Sequence, residues 1–324
     1  MRQLFCIFVA LLCTSAVAGV TRWSDRIEGA QVDPMSSAAL FVGVREFTDD
    51  RSIQPVPYAV DDAVDLAYEL SIDRQPALVN PVHVVLALSG QPQKPQTRGK
   101  LAKLLAAGAT PKSAGMSDIL AAIDTQSRMV GSKGILIFAI ATHGVSYDGT
   151  QYLFTATSTL AHYRLTALSD AEIRDTVSKN GVARSLILFD ACRERLTRDS
   201  RNGEPDPRAV AAFLRDMSAV DGQVVISAAP AGGYAYDDDD LGNGVFTRTL
   251  IDGLRCGAAS NRQGYVTVDT LYSYVSKNVL SWVQGHKNPR AKTATQLMCE
   301  GDSKRMPLSI CINHTASASP PARR

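Results

Sequence analysis

Five apolar runs of strand length punctuate the chain: 38–44 (AALFVGV), 82–89 (VHVVLALS), 134–144 (GILIFAIATHG), 185–192 (SLILFDAC) and 222–230 (GQVVISAAP). Each is apolar at nearly every position instead of every second one, which predicts strands buried on both faces of a sheet. Between them the apolar period changes to that of helices. In 58–70 (YAVDDAVDLAYEL), Val60, Ala63, Val64, Ala67 and Leu70 make one stripe, with the carboxylates on the other side. Helices are also predicted over 117–129, 169–179, 207–217, 245–254 and 268–283. Segment 145–158 alternates around Asp148-Gly149, a hairpin signal just after the third strand. Strands alternating with helices predict an α/β fold, a mostly parallel sheet with helices on both faces. No internal repeat is visible.

Composition adds limits to this picture. The chain has 324 residues, 45% hydrophobic and 20% charged, an ordinary globular balance. Its formal charge of +2 comes without a basic run, so no nucleic-acid partner is expected. Residues 1–18 carry one positive residue, an apolar run from Leu4 to Leu12 and the small residues Ala16-Val17-Ala18. This is the pattern of a secretory signal peptide. The alternative, a membrane anchor, would need about 20 apolar residues. The expectation is a secreted, periplasmic protein with no stable membrane insertion after signal cleavage. Residues 19–37 are expected to be a linker, 38–285 the main domain, 286–313 a C-terminal extension and 314–324 a disordered Pro, Ser and Ala-rich tail. Removing the leader takes Cys6 and Cys13 with it. Of Cys192, Cys256, Cys299 and Cys311, the last three are candidates for one structural disulfide, and the pair stays open.

The strand ends carry the chemistry. In an open parallel sheet, ligands bind outside the carboxyl ends of the strands, where loops converge on fixed roots. The third run ends in Thr142-His143-Gly144 and the fourth in Asp190-Ala191-Cys192. A thiol becomes a strong nucleophile as thiolate, and a neighbouring imidazole can take its proton and later protonate a leaving amine. The backbone N–H groups of Gly144 and Cys192 are candidate donors to an oxyanion. Taken singly, a cysteine in such a place is most often a small buried hydrophobe, and a histidine a satisfied core or surface residue. Two of them together, each beside small residues at the end of a long apolar run, favour chemistry.

An apolar strand ending THG followed by one ending DAC resembles the caspase and metacaspase superfamily of cysteine peptidases, in its bacterial metacaspase-like form. Three further segments carry the likeness: FVGVREF with VPYAVDDAVDLAYEL, QVVISAAPAGGYAYDDDD, and GVFTRTLIDGL. The resemblance spans about 38–283 and implies a caspase-like three-layer sandwich. It implies a catalytic dyad of His143 and Cys192, with the Gly144 and Cys192 amides as the oxyanion hole. It also implies that Asp62 and Asp190 bind the substrate and that cleavage follows Arg or Lys. Physical chemistry agrees, since two carboxylates facing one cavity are costly until a cation such as a guanidinium joins them. For Asp62 the competing reading is a solvated charge on a helix face.

The chain departs from the family where it continues DACRER, with Arg193 in place of the usual histidine. Arg193 is a candidate internal partner for Asp190 or Asp62. The departure also keeps open a second class, a catalytically silent module that binds basic peptides. The arginines at 193, 195, 198, 201 and 208 stand where caspase relatives are often processed, so self-cleavage competes there with a plain polar loop. No cofactor and no metal site are expected. The run Asp237 to Asp240 reads as an exposed acidic loop, with activation by calcium as the alternative.

Overall fold

The computed structural model describes residues 32–74, 76–147, 150–191, 222–230, 233–258, 260, 264–299 and 301–310. The apolar runs become the centre of one seven-stranded sheet. Its strands are β1 (Ala38–Val44), β2 (Val84–Ser89), β3 (Thr110–Ser113), β4 (Leu136–Thr142), β8 (Ser185–Ala191), β9 (Gln223–Ser227) and β13 (Gln296–Cys299), in the order β13-β9-β8-β4-β1-β2-β3. All neighbours pair in parallel except β13, which runs antiparallel to β9. The stretch 286–313, expected as an extension, therefore supplies an edge strand of the main sheet, and its β14 (Pro307–Ile310) pairs with β12 (Tyr265–Thr267).

Helices cover both faces. On one side lie α1 (Ala59–Tyr68), α5 (Val245–Asp252) and α6 (Val268–His286), packed on Phe41, Ile137, Leu188 and Ile226. On the other lie α3 (Met116–Met129) and α4 (Asp170–Lys179), packed on Leu40, Phe138, Ile187 and Phe189. The fold is the three-layer α/β sandwich that the pattern predicts. Gly43 is what lets α1 lie flush on the sheet. A Cβ there would come within 2.6 Å of the Ala59 carbonyl oxygen. On the opposite face, Phe138 and Phe189 meet edge to face at 6.4 Å and 80°.

Several boundaries differ from the sequence expectation, each for a local reason. The second strand starts at Val84, because Pro81–His83 form a 3₁₀ turn capped by the Asn80 side chain. The third run divides in two: β4 stops at Thr142, and Gly144 opens β5 (Gly144–Tyr147), which pairs with β6 (Thr150–Leu153) as the expected hairpin, and β6 pairs in turn with β7 (Leu168–Ser169). A helix that the pattern misses, α2 (Pro95–Ala106), packs beside α1 and buries only Thr97 and Leu104. The helix expected over 207–217 and the 193–208 loop lie outside the described residues.

α1 is buried on both faces. Asp61, Asp62, Asp65 and the following Glu69, on the side away from its apolar stripe, are between 0% and 4% exposed, which removes the competing reading of Asp62 as a solvated charge. The loop from Gly90 to Lys94, the start of α2 and the small hairpin of β10 (Asp237–Asp238) and β11 (Asn243–Gly244) enclose the three aspartates, and Arg255 covers Glu69. Among the C-terminal cysteines, Cys256 is disulfide-bonded and stands at φ +70, whereas Cys299 is a free thiol. The pair is therefore not Cys256 with Cys299, and the partner of Cys256 lies outside the described residues.

Candidate active site

The register of the sheet sets the two strand ends side by side. β4 and β8 are parallel neighbours, with Ala141 opposite Asp190 and Thr142 opposite Ala191. The next residue on each strand is His143 and Cys192, and Cys192 itself lies outside the described residues. His143 is half-buried and stacks on Phe47, ring centroids 5.6 Å apart. Its Nε2 lies 2.8 Å from the Gln54 carbonyl oxygen. A carbonyl can only accept, so Nε2 carries a proton and Nδ1 is the basic nitrogen of the neutral ring.

The loop that supplies this carbonyl is pinned at several points. The Ser89 hydroxyl donates to Glu46 O at 2.6 Å, Thr48 N to Ala156 O at 2.8 Å, Val56 N to Arg45 O at 3.1 Å, and the Gln93 side chain to Pro57 O at 2.7 Å. Gln54 was not foreseen, because a backbone acceptor has no signature in side-chain identity. Gly144 follows His143 directly and is buried at the start of β5.

The two predicted acids meet on the α1 side of the sheet. Asp190 shares the face of Leu186 and Leu188, since side chains alternate along a strand, and that face looks toward α1 and α5. Asp62 comes from the first turn of α1. Both converge on Gly244, where a Cβ would stand 2.7 Å from Asp190 Oδ2 and 3.0 Å from Asp62 Oδ2. A side chain at position 244 would fill the space between the carboxylates. Beneath them lies a narrow pocket with apolar walls from Val42, Ala139, Ala141, Leu188, Phe246 and Leu250.

Hydrogen bonds orient the two carboxylates without neutralising them. Asp62 Oδ1 accepts from Asn243 Nδ2 at 2.8 Å and from the Gly244 N–H at 3.0 Å, and its Oδ2 accepts from the same N–H at 3.1 Å. Asp190 Oδ2 accepts from the Thr247 hydroxyl at 2.7 Å. Among the described residues no Lys or Arg pairs with either. Burial and then the charge of Asp190 push Asp62 well above the ordinary carboxylate range. Burial likewise pushes Asp190 up to about 7, against the opposing bond from Thr247.

Asp237 joins this group. Its charge raises both Asp62 and Asp190, and desolvation of its carboxyl, followed by the charge of Asp239, raises Asp237 itself to about 6. It was expected only as part of an acidic loop. Two others of that run have structural work: Asp238 accepts from Trp282 Nε1 at 2.7 Å, and Asp239 from the Tyr58 hydroxyl at 2.8 Å. Among the described residues no group of three or more His, Cys, Asp or Glu side chains has a metal-binding arrangement.

Comparison with known proteins bears on the family and the fold. The caspase domain family, Peptidase_C14, matches residues 37–307. Among solved structures, caspase-1 from Spodoptera frugiperda superposes with a TM-score of 0.52 and 13% identity, covering 88% of this chain and 94% of that one. A protein from Geobacter sulfurreducens superposes with a TM-score of 0.49 and 16% identity, over 85% of this chain and 99% of that one. No curated protein matches.

Proposed function

Since the chain belongs to the caspase domain family of cysteine peptidases, we propose that it is a cysteine endopeptidase that cleaves after Arg or Lys. The observation that carries this reading is the pair Asp62 and Asp190, converging on Gly244 above an apolar pocket with no cation among the described residues. A guanidinium or ammonium entering that pocket would let both carboxylates ionise, and its alkyl stem would lie along apolar walls.

In this mechanism His143 Nδ1 takes the Cys192 thiol proton, and the thiolate attacks the carbonyl carbon that follows the basic residue. The Gly144 and Cys192 amides hold the resulting oxyanion. Collapse breaks the C–N bond, and the imidazolium returns its proton to the leaving amine. Water, deprotonated by the same nitrogen, then attacks the thioester and releases the acid and the thiol. The Gln54 carbonyl and the Phe47 ring hold the imidazole in the tautomer and plane that these steps need.

The test is turnover of matched fluorogenic peptides ending in Arg, Lys or Asp. The expected result is cleavage after Arg and Lys that is lost in Cys192→Ala. Cleavage after Asp would overturn the assignment of the acidic pair. The sequence Arg193-Glu194-Arg195 after the nucleophile favours a second reading, a silent module that captures basic peptides. That reading predicts binding of the Arg peptide by wild type and Cys192→Ala alike, with turnover by neither.

We further propose export, on the leader pattern of residues 1–18. N-terminal sequencing of the protein from a periplasmic fraction tests it, and a retained Met1 would contradict it. Among the described residues no helix is long and apolar enough to cross a membrane.

A further inference from the structure

Behind the acidic pair lies a polar network that the catalytic steps do not use. The half-buried Lys94 donates from Nζ to Asp65 Oδ2 at 2.6 Å and also to Asn243 Oδ1. Asn243 is 1% exposed and sends its amide hydrogens the other way, to Asp62 Oδ1 at 2.8 Å and Asp65 Oδ2 at 3.1 Å. An ammonium can only donate and a carboxylate can only accept, so one orientation of this amide satisfies all its neighbours. Turned over, the amide would set its oxygen against two carboxylates and its hydrogens against a cation. In a buried site that arrangement is heavily disfavoured.

Lys94 is itself held in place. Asp61 accepts from the backbone N–H groups of Gln93 and Lys94 at 2.8 and 3.0 Å, which fixes the loop just before α2. Gly242, at φ +61, leaves room for the lysine stem, since a Cβ there would come within 2.8 Å of Lys94 Cδ. Lys100 supplies the contrast: it bonds the other oxygen of Asp65 at 2.9 Å and has no bond to Asn243.

We propose that Lys94 is a positioning residue of the acidic pocket: it locks the Asn243 amide, and the amide aims Asp62 at Asp190 across Gly244. The proposal rests on the pocket reading given above. The hydrogen bonds that Lys94 donates among the described residues run to Asp61, Asp65 and Asn243 and not to His143, so its loss weakens capture of the basic side chain and leaves bond cleavage largely intact.

Steady-state kinetics of the full chain on an Arg peptide separate this from a general charge effect. Lys94→Met is expected to raise KM about tenfold with kcat held within about twofold. Lys100→Met takes the same charge from the same carboxylate and is expected to move KM less than about twofold. Lys94→Arg keeps a donor and a charge, and returns KM to within about threefold of wild type. Equal effects of the two methionine variants would overturn the proposal.

A second readout does not depend on turnover. By NMR, the Asn243 side-chain amide hydrogens should exchange slowly in wild type and Lys100→Met, and quickly in Lys94→Met. Slow exchange retained in Lys94→Met would overturn the proposal whatever the peptides show. Failure of the pocket reading has a different signature, an unchanged KM in Asp62→Asn, and the amide contrast still decides the role of Lys94.

Discussion

Asp62 and Asp65 sit three residues apart on one helix, 3% and 4% exposed, and they are driven in opposite directions. Burial acts to raise both. At Asp65 the bonds and charges of Lys94 and Lys100 more than offset burial and hold the carboxyl below its usual range. At Asp62 burial is joined by the charge of Asp190, and the bonds from Asn243 and Gly244 do not compensate. A buried acid that the chain supplies with its own cations is part of the scaffold. On the proposed reading, a buried acid left facing a second acid is prepared for a cation from outside.

The sharpest way to break this comparison is to neutralise each acid in turn. Asp62→Asn should lower kcat/KM for Arg and Lys peptides by about 100-fold or more, through loss of a charge-assisted bond, with little loss of thermal stability. Asp65→Asn should do the reverse, costing about 2 kcal/mol of stability by stranding two lysines, with a smaller effect on catalysis. Paired thermal melts and kinetics check both. Equal losses of activity in the two variants would erase the distinction.

The pH dependence should follow the same division. Asp190 titrates at about 7 and Asp237 at about 6, so lowering the pH through this window protonates the pocket. KM for basic peptides should therefore rise from pH 8 to pH 5.5. Asp190→Asn should flatten that rise.

Stability gives a further check of sign. The folded value of Asp190 is raised above the ordinary 3.8, so its relative contribution to stability is fully present below about pH 4 and lost as pH rises through about 7. Asp190→Asn should then raise the melting temperature more at pH 8 than at pH 5. A uniform shift would contradict the assignment.

The smallest effect is expected at the rim. Tyr58, whose hydroxyl is pushed up to about 12 chiefly by its bond to Asp239, ties the start of α1 to the hairpin that carries Gly244. Tyr58→Phe removes one exposed hydrogen bond and should cost less than about 1 kcal/mol, read as a change of no more than a few fold in kcat/KM.

Much of this architecture was legible in the chain, and the exceptions have physical causes. β1, β4 and β8 were readable because strands buried on both faces must be apolar throughout. The burial of the second face of α1 is not legible locally, because four carboxylates at Asp61, Asp62, Asp65 and Glu69 are equally the pattern of a solvated stripe. Their partners come from residues 93, 94, 97, 100, 243, 244 and 255, which no local window brings together. α2 was missed because its stripe is nearly empty, and β13 because a four-residue edge strand has too little pattern to detect.

At the site, Asp62 and Asp190 were marked by their place in recognisable segments, and the structure brings them together at Gly244. Gln54 acts through its backbone, and Asn243 and Lys94 through one another, so no residue-type motif points to them. Asp237 was visible only as one of four aspartates, and its coupling to the pair depends on the fold of the β10–β11 hairpin.

The most direct test of the central claim is cleavage of two peptides that differ only in arginine against citrulline, its uncharged counterpart of nearly the same shape, before the scissile bond. Wild type is expected to prefer arginine by at least about 100-fold, and Asp62→Asn to lose most of this preference. Equal cleavage of the two peptides by wild type would contradict the claim that this pair of buried carboxylates waits for a cation.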